Sequence, residues 1–501
     1  MRDIGCSMAQ INPSQESSFA TGSRLFVNIL AVVNAVAFGC VLAQWRGLIG
    51  PSGILPAGQF FEAVRAQDGA RGWLEVPSLC WVFGADHFIV VLCVLGLAAS
   101  AALFLRIAPA VCLGVVWASY LSLISAGQIF FDLQWDGLLL ECSVLAIFLV
   151  PWTLGRAPAP YEPPRLARYL VWWLLFRLMF LSGAVKIASG DSTWRHLIAL
   201  TFHYQTQPLP SPLAWYAHHF PLWFHKLSCA FMFAAELLAP FLIACRRRLR
   251  HMGAMILIVL QVLIALTGNY GFFNLLTIGI CLTCLDDAWW RSFHWGVDDA
   301  RAEDSALAGR IKPTLTRWFA AIVVGITFFI TAAALYPVAA SSPLVRFVED
   351  TVGPFRTFNN YRLFAVMTVE RPELIIEGSD DGRDWKAYEL PYKPGRLSRR
   401  PEWVAPYQPQ LDWQLWFAAL GRPEDNLWVG TLCEKLLRGD TAVLRLFSRN
   451  PFPEHAPRYM RVVRYRYEFT DAKERGRTGN WWRSTPIDFY ISPVALSSSQ
   501  Q

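Results

Sequence analysis

The stretch Tyr169-Leu-Val-Trp-Trp-Leu-Leu-Phe-Arg177-Leu-Met-Phe-Leu-Ser-Gly-Ala-Val-Lys186-Ile187 is apolar over nineteen residues apart from two cations. A helix rises 1.5 Å per residue and the hydrocarbon core of a bilayer is about 30 Å thick, so a run of this length and polarity predicts a membrane-spanning helix. Working outward from it, eight further apolar runs follow the same rule: Leu25 to Trp45, His87 to Leu105, Ala108 to Ala126, Gly137 to Leu154, Leu222 to Cys245, Met252 to Thr267, Gly271 to Leu285 and Trp318 to Ala340. The chain therefore reads as a polytopic α-helical membrane bundle of about nine helices. Composition agrees: of 501 residues 54% are hydrophobic and only 17% charged, against about 25% charged in soluble domains. The 22 Trp and 34 Phe suit interfacial belts and packing within a bundle.

Lys and Arg in short loops mark the cytoplasmic side. Arg24, Arg106, the group Arg156, Arg165 and Arg168, the run Arg246, Arg247, Arg248 and Arg250, and then Arg291, Arg301, Arg310 and Lys312 all fall on one side. Residues 1 to 22 are polar and lack the apolar core of a cleavable signal. An odd number of spans then places the N-terminus in the cytoplasm and everything after Ala340 outside. With no Asn-X-Ser/Thr sequon in that outer part, a bacterial inner membrane is favoured, or the ER membrane if the source is eukaryotic. The net charge of +7, from 45 basic and 38 acidic residues, is explained by these loops and gives no reason to expect nucleic acid as a partner; the bilayer itself is one.

Three segments result: 1–24 as a cytoplasmic N-terminal segment, 25–340 as the transmembrane domain, and 341–501 as a small β-rich α+β external domain. In the last, residues 373–379 and 384–390 read as a hairpin around Asp381-Gly382, and Arg461 to Phe469 alternates as a strand. Helices are expected over 412–420 and 426–438. The cluster Asp380, Asp381 and Asp384 lacks the spacing of a calcium loop and reads as a solvated turn. Cys80 and Cys433 face outward and could form a disulfide, with two buried free thiols as the other reading. Apolar strand residues Val463, Tyr465 and Tyr467 are a candidate partner contact or a packed face.

The densest polar chemistry lies between the fifth and sixth runs. It comprises Lys186, Asp191, Trp194 and Arg195, then His203, Tyr204, Gln205, Thr206, Gln207 and Pro208, then His218, His219, Trp223 and His225, with His196 among them. Imidazoles serve in proton transfer and as metal ligands, but these spacings fit no zinc pattern, and no metal or cofactor is expected. Lys186, near a helix end, reads either as a desolvated base or as a cation snorkelling to the interface. Arg177 and Glu236 are expected to form a buried pair. Asp132, Asp136 and Glu141 make a further acidic cluster; a transporter would use such groups, but no inverted repeat accompanies them.

The block containing VKIASGD, STW, FHYQTQPLPSPLAWYAHH, WFHKL and AAELLAPF between Gly183 and Pro240 resembles the lipase maturation factor family. So do Gly268 to Asn274, Cys284 to Asp287, and FFDLQWDGLLLE from Phe130 to Glu141, and the resemblance continues around Tyr361 to Glu370 and Trp413 to Leu420. It implies a multi-pass membrane protein whose eukaryotic relatives reside in the endoplasmic reticulum and help secreted dimeric lipases fold. Exported client proteins, lipases among them, become the expected partners, for a maturation factor or chaperone that is not itself an enzyme. The family is similar, more distantly, to the membrane domain of vitamin K-dependent γ-glutamyl carboxylase. That similarity implies an alternative: a carboxylase-like enzyme acting on a peptide, lipid or quinone, with Lys186 as base followed by Asp191 and Trp194.

Overall fold

The computed structural model describes residues 18–157, 161–293, 313–335 and 342–496; Arg301, Arg310, Lys312 and the end of the last apolar run lie outside them. The run quoted first forms helix Arg165–Ala188. Pro164 precedes its first turn, and the helix stops where Gly190 takes a positive φ of 74°, a conformation glycine adopts without the penalty a side chain brings.

Among the described residues six helices are long and apolar enough to cross a membrane. They are α1 (Ala20–Leu48), α2 (Ala85–Phe104), α3 (Pro109–Gly127, prolonged by a 3-10 turn to Phe131), α5 (Arg165–Ala188), α8 (Arg247–Thr267) and α10 (Pro313–Leu335). The other three expected runs fold as shorter helices: α4 (Gln134–Ile147), α7 (Leu222–Leu237) and α9 (Phe273–Leu282). α7 ends at Leu237, and a separate turn, Ala239–Ile243, carries Pro240, which has no N–H to continue the ladder. Sixteen residues rise only about 24 Å, short of the hydrocarbon thickness. A further short helix, α6 (Ala199–Thr206), lies in the loop between α5 and α7.

One end of the bundle gathers basic loops. The Arg168 guanidinium stands 3.8 Å from the Phe19 ring centroid and that of Arg250 5.0 Å. Arg247 Nε donates to Asp286 at 2.5 Å, and the Ser18 hydroxyl lies within hydrogen-bond distance of both Glu162 and Asp287. Ile107 and Arg156 bridge the same end. The other end carries the sheet-containing region.

That sheet has four antiparallel strands in the order β2-β1-β3-β4: β1 (Arg371–Ser379), β2 (Lys386–Ala387), β3 (Tyr459–Phe469) and β4 (Trp482–Val494). The hairpin falls where Asp381-Gly382 requires it. Asp381 Oδ1 accepts from the amides of Asp384 and Arg383 at 2.9 and 2.8 Å, which hold its carboxyl down at about 2. Helices α11 (Gln410–Leu420) and α12 (Leu427–Leu437) match the expected ones. β4 escapes sequence reading because Pro486 and Pro493 interrupt it, which an edge strand tolerates. Val463 and Tyr467, candidates for partner contact, are buried, and Tyr465 is half-buried; the alternation reported a packed face. Cys80 and Cys433 are both free buried thiols, and burial pushes that of Cys433 up to about 12.

The apolar core does not stop between bundle and sheet. Phe130 meets Trp428 edge-on with ring centroids 5.6 Å apart, and Trp135 meets Trp413 at 4.5 Å. Both contacts join the α3–α4 corner to helices of the external region.

Candidate functional site

Gly183 brings α5 and α7 together. A Cβ there would lie 2.8 Å from Leu237 Cδ2 and 3.0 Å from Glu236 Cβ, so only a hydrogen lets the helices approach this closely. One turn later Lys186 faces Glu236. Its Nζ donates to Glu236 Oε1 at 2.9 Å, to Oε2 at 2.8 Å and to the Ser182 carbonyl at 3.1 Å, which uses all three ammonium donors. Lys186 is 2% exposed and Glu236 7%. The Trp194 ring centroid stands 5.5 Å from Nζ.

Arg177 and Glu236 therefore do not pair with each other. Arg177 sits nine residues before Lys186 on the same helix, about 14 Å along its axis, level with α4 and not with Glu236. It bonds Glu141 in a pair with both side chains 1% exposed, and its other amino group donates to the Asn359 carbonyl at 3.0 Å. Glu141 also accepts from the Tyr361 hydroxyl at 2.8 Å and from Asn359 Nδ2 at 3.2 Å. The acidic cluster is thus divided among separate tasks: Asp132 bonds Arg356, Asp136 accepts from Tyr120 at 2.6 Å, and Glu141 holds the chain entering the external region.

The residues after Lys186 turn to the same work. Asp191 Oδ1 accepts from the Thr193 amide and hydroxyl, both at 2.7 Å, and Oδ2 from the Met367 amide at 2.7 Å. Desolvation opposes its charge, but the Met367 and Thr193 bonds outweigh it, so the carboxyl lies below its ordinary range. Trp194 Nε1 donates to the Phe364 carbonyl at 3.1 Å.

The HYQTQP segment forms a ledge. Arg371, at the start of β1, donates to the carbonyls of Gln205 and Pro208, each at 2.8 Å, and to that of Gln207, while Trp416 Nε1 donates to the Thr206 carbonyl at 3.0 Å. Arg371 is locked by Glu373, which also pairs with Lys393 at 2.6 Å. On the next loop Asn269 Oδ1 accepts from the Val404 amide at 2.8 Å, and its Nδ2 donates to the Glu402 carbonyl at 2.9 Å. On α1, Gln44 bonds Gln408 and Gln410.

His203 belongs to a defined chain of donors. Gln207 Nε2 donates to the Thr267 and Tyr204 carbonyls at 2.8 and 3.2 Å, which leaves its Oε1 to accept from the Tyr270 hydroxyl at 2.9 Å. With its proton given to Gln207, Tyr270 accepts from His203 Nε2 at 3.1 Å, so His203 carries its proton on Nε2. Walled off from bulk water and close to Lys186, His203 is pushed down to about 4 and is neutral.

Lys186, Glu236, Trp194, His203, Tyr204 and Tyr270 border one cavity of about 540 Å³, otherwise lined mainly by apolar side chains from α6, α7, α8 and the turn between α6 and α7, with Ser228 and Thr267 among them, and by Phe364. The other candidates stay outside it. Arg195, His196 and Trp223 are exposed. His219 Nδ1 lies 2.6 Å from the Trp215 carbonyl, His218 meets Phe469 edge-on, and His225 is buried beside Tyr204. Burial and its two neighbouring imidazoles push His218 down to about 4. Among the described residues no three His, Cys, Asp or Glu side chains converge as a metal site. Sequence reading passed over Tyr270, Arg371 and Phe364. The first lies in the Gly268 to Asn274 block and Phe364 in the Tyr361 to Glu370 stretch, both of which carry the resemblance, whereas Arg371 lies one residue beyond the latter.

Residues 21–292 match the family model described as lipase maturation factor transmembrane domain, and 357–492 the one described as lipase maturation factor C-terminal domain. Among curated proteins, lipase maturation factor 2 of Homo sapiens is 34% identical over 94% of this chain and 82% of its own. Lipase maturation factor 2 of Rattus norvegicus is 32% identical over 94% and 83%. Lipase maturation factor 1 of Mus musculus is 33% identical over 95% and 88%. No solved structure matches the chain.

Proposed function

The chain belongs to the lipase maturation factor family, and on that premise we propose that it assists the folding and assembly of exported lipases or related secreted proteins. It does so as a multi-pass membrane protein with the sheet-bearing region, residues 341–501, on the external side. Gathering of the basic loops at the bundle end opposite the sheet supports this orientation.

The observation that carries the reading is the outer side of β4, which among the described residues pairs with no further strand. This strand of thirteen residues ends the sheet and leaves Phe489 55% and Ile487 48% exposed. Unpaired backbone beside exposed apolar side chains is what an incompletely folded chain needs to add itself as a further strand. The region is fixed to the bundle by the ledge and by the Asn359 and Asn269 bonds, so a client held there stays next to the membrane it has just crossed.

The second reading, a carboxylase-like enzyme with Lys186 as base, is favoured by the cavity that reaches this side chain. It requires a neutral amine, whereas Lys186 donates to two carboxylate oxygens and a carbonyl. The deciding experiment co-expresses a secreted lipase with Ile487→Glu/Phe489→Glu, Lys186→Ala and Lys186→Arg, and measures lipase activity at equal membrane-protein level. Loss in the β4 variant with activity retained in Lys186→Ala is the expected result. Loss in both Lys186 variants, with the β4 variant active, would overturn the reading in favour of the enzyme.

A further inference from the structure

We propose that the cavity beside Lys186 binds the hydrocarbon chain of an esterified bilayer lipid, which enters sideways between α7 and α8. Its volume, about 540 Å³, lies within the range of small-molecule sites, about 300–1,000 Å³. Leu200, Phe231, Met232, Leu260 and Ile264 make the interior apolar, and an apolar void of this kind is a poor host for water. Leu227, Leu263 and Leu266 are exposed at its rim, together with Leu213, Tyr216 and Phe220 from the turn before α7. Leu263 and Leu266 lie at the last turn of α8, which is long and apolar enough to span a bilayer, so that side of the opening meets hydrocarbon close to the interface.

The polar groups at the inner end exclude a charged occupant. Lys186 and Glu236 neutralise each other, and the Tyr270 hydroxyl is engaged by Gln207 and His203. A free fatty acid entering carboxylate-first would meet Glu236 and a Lys186 whose three donors are already taken, whereas the chain of a phospholipid leaves its headgroup at the interface. The bound chain also touches the external region, because Phe364 forms part of the wall and is held by Trp194.

The test uses the full chain in nanodiscs containing a phosphatidylcholine with a photoreactive group midway along one acyl chain, followed by peptide mapping of the adducts. Adducts on Leu200, Phe231 or Met232 are expected. They should be lost in Ser228→Trp, which fills the cavity, and in Leu227→Trp, which narrows its mouth, but kept in Val91→Trp on the outer face of α2. Adducts confined to outward-facing residues of the wild type would overturn the proposal, and this arm does not depend on any variant folding. So would interior adducts unchanged by both cavity variants, or interior labelling by a photoreactive free fatty acid in preference to the phospholipid.

Discussion

At the scale of the residue, Lys186 and Glu236 are best understood as a pair that exists to be neutral. Removing one partner of a buried ion pair costs about 3–5 kcal/mol, because the other charge is left desolvated, while replacing both by apolar groups of similar size is often neutral. Lys186→Met and Glu236→Leu are therefore each expected to lower thermal stability in nanodiscs, followed by Trp fluorescence, and the double variant to recover most of the loss. A loss in the double variant equal to the sum of the two single losses would show that the two act independently. The sequence made both residues conspicuous, since charges in apolar runs stand out, but could not assign partners. Arg177 had two carboxylates within plausible reach, and only the relative height of α4 against α5 decides for Glu141.

At the scale of the element, the length of an apolar run identifies a helix more reliably than it identifies a span. α5 coincides with its run because nothing inside the run interrupts the ladder. The run from Leu222 to Cys245 looks equally continuous, yet Pro240 divides it and places Glu236 at the break. β4 went unread for the converse reason: its prolines are penalties in a central strand but not at an edge. The α5–α7 contact makes its own prediction. Gly183→Leu forces the helices apart at the level of Lys186, and overpacking of this kind costs about 1–3 kcal/mol. A thermal melt within experimental error of wild type would mean that the approach is not required.

At the scale of the whole molecule, the two matched family segments pack against each other through a shared core, and the segment boundary read at residue 341 gave no warning of this. Composition sees which residues favour water; it cannot see that Arg371, a buried residue at the start of a strand, has the backbone of a membrane loop as its partner. Arg371→Ala should remove the ledge contacts and leave Glu373 short of a cation, at a cost of about 3–5 kcal/mol to docking. Hydrogen exchange at the Met367 and Phe469 amides, both bonded across the junction, should accelerate while amides within α1 and α5 keep their protection. Uniform acceleration through the bundle would place Arg371 in global stability and not in docking.

The ledge also has a consequence for how the protein is made. Its carbonyls at Gln205, Gln207 and Pro208 wait for a guanidinium that lies 163 to 166 residues further along the chain. A ribosome has completed most of the bundle before Arg371 emerges, so throughout that interval the nascent protein has unfilled acceptors and an uncovered aromatic rim beside the bilayer. Synthesis thus closes on its hardest step last, and chains truncated before the sheet are left as half-built bundles for quality control to remove.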